Sequence, residues 1–149
     1  MKRLIPLALA LLLAAPALAA EPVNITADSF TIDQANRNGT FSGSVVIKRT
    51  GLTIWANKVV VTYGKGGEND IDNITATGSV RIKTPQQEAT GGRATFDPLS
   101  QILKLTENVQ VLNAQGQVSG PELTINLGTQ TSTFQGGKGG RVTGTFTPQ

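Results

Sequence analysis

The 149-residue sequence contains no cysteine and no histidine. Without cysteine, it has no disulfide framework, no thiol nucleophile and no site for a lipid-modified cysteine. Without histidine, it lacks the commonest general base and a common metal ligand. The ten acidic residues are scattered, and Asp70 and Asp72 stand beside a glycine-rich segment that is typical of a solvated turn. We therefore expect no enzyme, no catalytic residue, no metal site and no cofactor.

Aromatic residues make up only 5% of the sequence, which argues against the exposed aromatic stripe of a glycan-binding protein. Helical periodicity is almost absent after residue 20, and the sequence is rich in Thr, Gly, Val and Asn. Such a composition favours an all-β protein.

The first 20 residues have the three parts of a secretory signal peptide. Lys2 and Arg3 precede an apolar run over residues 4–13, and small residues follow with Ala17-Leu18-Ala19 as the cleavage motif. The apolar run is too short for a permanent membrane anchor. We predict a cleaved signal peptide over residues 1–20 and a single exported domain over residues 21–149. Without Lys2 and Arg3, the 13 basic residues become 11 against 10 acidic ones, which argues against a nucleic-acid partner.

Residues 41–63 contain an apolar pattern that recurs along the chain. Apolar side chains alternate at Phe41, Val45 and Ile47, and a spacing of two indicates a β-strand. The phrase at residues 43–45 returns at residues 78–80 and 107–109. Equivalent positions in successive copies, spaced by 29, 35 and 29 residues, are Phe30, Val59, Ala94 and Leu123. A fixed period of short strands predicts a wound or stacked sheet in which each unit buries its apolar face against its neighbours.

The alternation slips by one residue after a small residue in each copy, at Ala27, Ala56, Gly91 and Gly120. A slip of this kind is typical of a bulge or bend. We therefore expect each unit to wrap from one sheet to another. Residues 36–39 (Asn-Arg-Asn-Gly) predict a turn, with Asn38-Gly39 as a common hairpin signal, and residues 64–69 predict a surface loop.

Two polar features have alternative interpretations. Lys48, Arg49, Arg81 and Lys83 stand at matching repeat positions and predict either a basic strip that contacts lipid phosphates or ordinary solubilising charge at sheet edges. Trp55 replaces the outward polar residues of the other copies, which favours either a contact surface or a residue tucked under a loop.

The repeated motifs carry a resemblance to a known family. Residues 41–45 (Phe-Ser-Gly-Ser-Val), residues 56–62 (Ala-Asn-Lys-Val-Val-Val-Thr) and the leading Ile25-Thr26-Ala27-Asp28 resemble the LptA (OstA-like) family of periplasmic lipopolysaccharide-transport proteins. The resemblance covers nearly all of residues 21–149. It implies an open, V-shaped antiparallel β-jellyroll built from repeated units of about 29 residues, whose apolar interior holds lipid A acyl chains.

The same resemblance implies a function and its partners. We expect a periplasmic lipopolysaccharide-binding bridge protein that shields lipid A acyl chains and carries lipopolysaccharide from the inner to the outer membrane within the Lpt assembly. An LptC-like inner-membrane protein would join the N-terminal edge, and an LptD-like outer-membrane translocon would join the C-terminal edge. Copies of the chain could also join head to tail, because open sheet edges accept further strands.

The inward apolar positions are candidates for the lining of this groove, and ordinary core packing is the alternative for each of them. They are Val23, Ile25, Phe30, Ile32, Phe41, Val45, Ile47, Ile54, Val59, Val61, Val80, Ile82, Phe96, Val109, Val111, Leu123, Ile125 and Phe134.

Two other classes of protein remain open. An LptC-like or other envelope adaptor domain would have a closed core and no lipid cargo. An exported glycan-binding or glycan-cleaving protein would need paired carboxylates or exposed aromatics, which the sequence scarcely offers.

Overall fold

The computed structural model describes residues 22–67 and 69–148. The predicted signal peptide, residues 1–20, lies outside the described residues, as does Glu68 of the predicted loop. Within the described residues no helix is long and apolar enough to cross a membrane. The ten strands are β1 (Asn24–Thr26), β2 (Ser29–Asp33), β3 (Asn38–Arg49), β4 (Leu52–Tyr63), β5 (Ile71–Lys83), β6 (Gln87–Asp97), β7 (Ile102–Asn113), β8 (Gly116–Asn126), β9 (Thr131–Gln135) and β10 (Thr143–Phe146).

The strands form one antiparallel sheet in which β3 to β8 follow each other as a meander. At the N-terminal edge, β1 and β2 pair with different parts of β3. At the C-terminal edge, β9 and β10 pair with different parts of β8. The first and last strands of this path do not pair with each other, so the sheet does not close into a barrel.

Each of the six long strands bends at its centre and contributes to two layers. The pairing of neighbouring long strands shifts register between Ser42 and Val45, and again at each corresponding position along the sheet. Layer A comprises β1, β10 and residues 45–49, 52–56, 80–83, 87–91, 109–113 and 116–120. Layer B comprises β2, β9 and residues 38–42, 58–63, 71–77, 93–97, 102–106 and 122–126. The expectation that each unit wraps from one sheet to another is confirmed.

The backbone makes the bend differently in odd and even strands. In β3, β5 and β7, two successive residues adopt left-handed φ angles opposite a single residue of the next strand. These pairs are Gly43-Ser44 (84° and 45°), Gly78-Ser79 (83° and 49°) and Glu107-Asn108 (70° and 56°). In β4, β6 and β8, the apolar alternation slips by one residue, as the sequence predicts.

At four points along the line of bends, a side chain lies against a glycine of the neighbouring segment, and we call these points the first to fourth bend from the N-terminal edge. Asp28 covers Gly43, and Asn57 covers Gly78, so closely that a Cβ added to either glycine would come within 2.8–2.9 Å of the covering residue's own Cβ. At the third bend the roles are exchanged, because Glu107 of β7 covers Gly92 of β6. At the fourth, Pro121 covers Gly140. The glycines let adjacent strands approach at the bend, where a side chain on both strands would clash.

One hydrophobic core fills the space between the layers. Val45, Val80 and Val109 of layer A are 1% exposed, and Val59, Leu105 and Leu123 of layer B are fully buried. No charged or polar residue of residues 22–67 and 69–148 is buried with them. The layers are therefore held together mainly by removal of apolar surface from water.

The turn predicted over residues 36–39 is right in part, because it includes Asn36 and Arg37 but is placed two residues too late. Asn38 and Gly39 already belong to β3 and pair with Asp33 and Ile32. The turn covers residues 34–37, where the Asp33 carboxylate accepts hydrogen bonds from the backbone N–H of Asn36 at 3.1 Å and from its side chain at 2.7 Å. An aspartate that caps a turn in this way competes with the Asn-Gly signal.

Candidate functional site

A continuous apolar surface covers the inner face of the sheet across all eight strands of each layer. In layer A, paired inner positions run from Ile25 through Ile47, Ile54, Ile82, Ala89, Val111 and Val118 to Gly144. In layer B they run from Phe30 through Phe41, Val59, Ala76, Ala94, Leu105 and Leu123 to Phe134. Residues that are paired across strands share a face of the sheet, so each row is a track that leads from one edge to the other.

Inner residues differ slightly in burial. Val45, Val59 and Val109 beside the bend are 0–1% exposed, whereas Ile47, Ile54 and Ile125 near the hairpin turns are 7–9% exposed; Ile82 and Leu103, at similar distances from the bend, are 2–3% exposed. A cavity of about 540 Å³ lies at this side, between the turns around Gly51 and Gln86 of layer A and residues 125–132 of layer B. We call this opening between the turns of the two layers the mouth.

The inner face is most open at the two edges of the sheet. At the N-terminal edge, Val23, Phe30 and Ile32 are 47–49% exposed, and the Phe30 ring stacks on Phe41 with 4.4 Å between ring centroids. At the C-terminal edge, Phe146 is 63% exposed, on the same face as Gly144 and Val118. Exposed apolar side chains at both ends of a buried track mark surfaces that can be covered by another apolar molecule.

The predicted lining residues fall into three groups in the structure. Eleven of the eighteen are buried in the core, four are partly buried against it, and three are exposed at the N-terminal edge. The buried ones are Val45, Ile47, Ile54, Val59, Val61, Val80, Ile82, Val109, Val111, Leu123 and Ile125. The partly buried ones are Ile25, Phe41, Phe96 and Phe134, and the exposed ones are Val23, Phe30 and Ile32.

Several inner residues are not among the predicted lining, although some of them belong to the apolar pattern of the sequence. Ala56, Ala76, Ala89, Ala94, Leu103 and Leu105 are also buried, and Leu52, Tyr63 and Leu127 are partly buried against the core. The signal for most of them was present as the same spacing of two within each strand. The alanines are absent from the predicted lining because a small side chain contributes little to an apolar pattern.

The predicted basic strip is divided between two faces. Lys48, Arg81 and Lys83 alternate with buried residues of layer A and therefore lie on its outer face. Arg49 has the same parity as Ile47 and lines the mouth. Only one of the four cations is therefore near the apolar interior.

Trp55 lies on the outer face of layer A beside Arg81, its cross-strand partner. The Arg81 guanidinium lies 4.6 Å from the centre of the Trp55 ring and forms a salt bridge with Glu88. The ring is half-buried. Arg81 thus covers part of the Trp55 ring, and the Arg81 side chain is already paired with Glu88.

The acidic residues are not assembled into a metal site in the part of the chain that the structure describes, where no group of three or more acidic side chains comes together. Asp70 accepts a hydrogen bond from the Gly66 N–H at 3.1 Å and stabilises the loop between β4 and β5. Asp97 accepts one from the Leu99 N–H at 2.9 Å in the turn between β6 and β7. These aspartates act as turn caps.

Comparisons with known proteins agree with this geometry. Residues 24–131 match the family described as LptA/(LptD N-terminal domain) lipopolysaccharide transport protein. The lipopolysaccharide export system protein LptA of Haemophilus influenzae is 27% identical over 135 residues, which cover 86% of this chain and 78% of that protein. The crystal structure of LptH, described as the LptA-homologous periplasmic component of the lipopolysaccharide transport device of Pseudomonas aeruginosa, superposes with a TM-score of 0.74. That match has 16% identity and covers 86% of this chain and 96% of LptH.

The structural match confirms the expected open jellyroll fold, and the sequence match over most of the chain confirms the family resemblance. The chain belongs to the LptA/LptD N-terminal domain family of lipopolysaccharide transport proteins.

Proposed function

We propose that this protein is a periplasmic carrier that holds the acyl chains of lipopolysaccharide on its apolar inner face and passes the lipid between the inner and outer membranes. The single observation that carries this proposal is the apolar track that crosses all eight strands of both layers and is exposed at its two ends. A core that served only for packing would not need exposed phenylalanines at both edges, such as Phe30 and Phe146.

The energy of acyl-chain transfer explains why such a track is needed. Each methylene removed from water contributes about 0.8 kcal/mol, so a chain of about a dozen methylenes would cost roughly 10 kcal/mol if it crossed water unshielded. Ile47, Ile54 and Ile125 near the mouth are 7–9% exposed, whereas Val45, Val59 and Val109 beside the bend are 0–1% exposed. The acyl chains would therefore lie toward the mouth, and the residues at the bend would serve as structural core.

Transport between membranes also needs contact with other proteins, and the sheet edges suit this role. The edge strands are short, with three and five residues in β1 and β2 and five and four in β9 and β10. A partner strand added to either edge would gain backbone hydrogen bonds and extend the apolar track. The partners we propose are an LptC-like inner-membrane protein at the N-terminal edge, an LptD-like outer-membrane translocon at the C-terminal edge, and a further copy of this chain at either.

Residence in the periplasm is supported by the predicted signal peptide over residues 1–20 and by the printed description of LptH as a periplasmic component. The family is one of transport proteins, and we propose no catalytic activity for this chain.

Photocrosslinking in cells tests the proposal. A photoreactive residue at inner Ile47 or Ile32 is expected to crosslink to lipopolysaccharide, whereas the outward neighbours Val46 and Thr31 on the same strands are not. Each pair differs by one residue in position and by the face of the sheet. Equal crosslinking at inner and outer positions, or no lipid adduct at either inner position, would refute the carrier function.

A second candidate function is that of an envelope adaptor with a closed core and no lipid cargo. It is favoured by the complete burial of Val59, Leu105 and Leu123 among other residues of the core. In the same experiment, an adaptor would give protein adducts at the edge position Ile32 and no lipid adduct at Ile47.

A further inference from the structure

A small open pocket lies at the N-terminal end of layer B and combines an apolar floor with cations. Ile32 and Tyr63 form the apolar part of its wall, and Arg37 and Lys65 are its two cationic residues. Its volume is about 220 Å³. Four larger cavities among residues 22–67 and 69–148 have at most one cationic side chain each.

The apolar part of the pocket wall is continuous with the apolar track. Ile32 pairs with Gly39, and Phe30, two residues earlier on the same face, pairs with Phe41. Gly39 has no side chain, and the space above it is taken by the Phe30 ring, at 2.9 Å from an added Cβ, and by the Tyr63 hydroxyl oxygen, at 3.4 Å. Three of the chain's few aromatic side chains thus gather where the track opens to solvent.

The backbone segments that carry the two cations are held at this opening by hydrogen-bonded turns. The carbonyl of Arg37 accepts a hydrogen bond from the Tyr63 N–H at 2.8 Å, which ties the turn between β2 and β3 to the end of β4. Lys65 stands in the next loop, which is closed by hydrogen bonds from Gly64 N–H to the Asp70 carbonyl at 2.7 Å and from Asp70 N–H to the Gly67 carbonyl at 3.0 Å. Both side chains are exposed.

Nearby anions offset these charges only in part. The carboxylate of Asp33 also lines the pocket, and hydrogen bonds from the Asn36 side chain and backbone N–H lower its pKa and keep it ionised, so it balances one of the two cations. The Asp70 carboxylate accepts from the Gly66 N–H and does not line the pocket. Among residues 22–67 and 69–148, the wall therefore has two cations and one carboxylate, and this excess of one positive charge favours an anionic group.

We propose that Arg37 and Lys65 hold the phosphate of an acylated lipid headgroup at the N-terminal opening, while its acyl chain lies over Phe30 and Phe41. This inference rests on the proposed carrier function and assigns the headgroup position within it. An amphiphile whose tail is on the inner face needs its charged end at the boundary with water. Arg37 and Lys65 stand at that boundary at the N-terminal opening, as Arg49 does at the mouth, whereas Lys48, Arg81 and Lys83 are on the outer face of layer A, away from the tail.

The test measures binding of two lipids to the purified protein from residue 21 onward. The lipids are diphosphorylated lipid A and the same lipid with its phosphates removed, and the variants are R37Q/K65Q and the outer-face control K48Q/K83Q. We expect R37Q/K65Q to weaken binding of phosphorylated lipid A by about tenfold or more, as for loss of a charged hydrogen bond. It should leave the dephosphorylated lipid unaffected, and K48Q/K83Q should bind both lipids like the wild type.

A loss of affinity that is equal for both lipids, or a larger loss in K48Q/K83Q, would overturn the assignment. Inorganic pyrophosphate at millimolar concentration is expected not to displace the lipid, and displacement would indicate a site for free phosphate instead. Wild-type protein that binds neither lipid would refute the carrier function itself, whereas binding of both lipids with no effect of R37Q/K65Q would refute the headgroup site alone. Thermal unfolding of each variant checks that the fold is retained.

Discussion

At the third bend, the strand that supplies the covering side chain and the strand that supplies the glycine are exchanged. This exchange allows a test of how the two strands pack at the bend. At the first two bends, the covering side chain comes from Asp28 or Asn57 and the glycine from β3 or β5. At the third bend, Glu107 covers Gly92 instead. The double substitution G92N/E107G would restore the arrangement of the second bend, in which Asn57 covers Gly78.

The structure gives the expected magnitudes. A Cβ on Gly92 would lie 2.8 Å from the Glu107 Cβ, so G92N alone should cost about 1–3 kcal/mol through overpacking. E107G removes a side chain at a φ of 70°. The left-handed penalty of about 1–2 kcal/mol is relieved, and the entropy cost of about 0.5–1 kcal/mol for an added glycine offsets part of it. The single E107G variant should therefore stay within about 1 kcal/mol of wild type.

The double variant should recover most of the stability that G92N loses, with a coupling energy of about 1–2 kcal/mol. Urea unfolding of the wild type, both single variants and the double variant measures this coupling. If G92N costs the same with and without E107G, the two residues do not compete for space, and the account of the bend is wrong.

Further expected outcomes concern the core and one turn. Leu123→Ala, at a fully buried site, should cost about 2–5 kcal/mol in urea unfolding, whereas Leu99→Ala, at a site 95% exposed, should change stability by less than about 0.5 kcal/mol; similar values for the two would contradict the assigned core. The hydrogen bonds from Asn36 lower the pKa of Asp33 below its ordinary 3.8, so its contribution to stability is present above about pH 4 and is lost as pH falls through the folded-state pKa. The stability difference between wild type and Asp33→Asn should therefore shrink on acidification, and a difference that grows would refute the role of Asp33 as a cap.

The strands and their bends could be predicted because the same apolar pattern recurs in each copy of the repeat. A spacing of two marks the inner face, and the slip after Ala56 and Gly91 marks where β4 and β6 change layer. The left-handed pair in the odd strands was less visible. In Gly43-Ser44 the pair contains a glycine, which favours left-handed φ angles. The pair Glu107-Asn108 contains none, and the glycine of that bend is Gly92 on the neighbouring strand.

The site could be predicted only in part. Inner and outer faces follow from parity, and the same parity would have separated Arg49 from Lys48. The distinction between core and open surface depends on distance from the bend and from the sheet edges, which a single-strand pattern does not contain. The pairing of Arg37 with Lys65 likewise depends on two loops that meet only in the folded sheet.

The central claim is that the acyl chains lie on the inner face of the sheet. Nuclear magnetic resonance with a lipid A analogue that carries a paramagnetic label at the end of one acyl chain tests it directly. The account predicts that methyl signals of inner Ile47, Ile54 and Ile125 are broadened by the label, while those of outer Val46 and Val60 are not. Broadening of the outer valines, or an unchanged inner face in the presence of bound lipid, would contradict it.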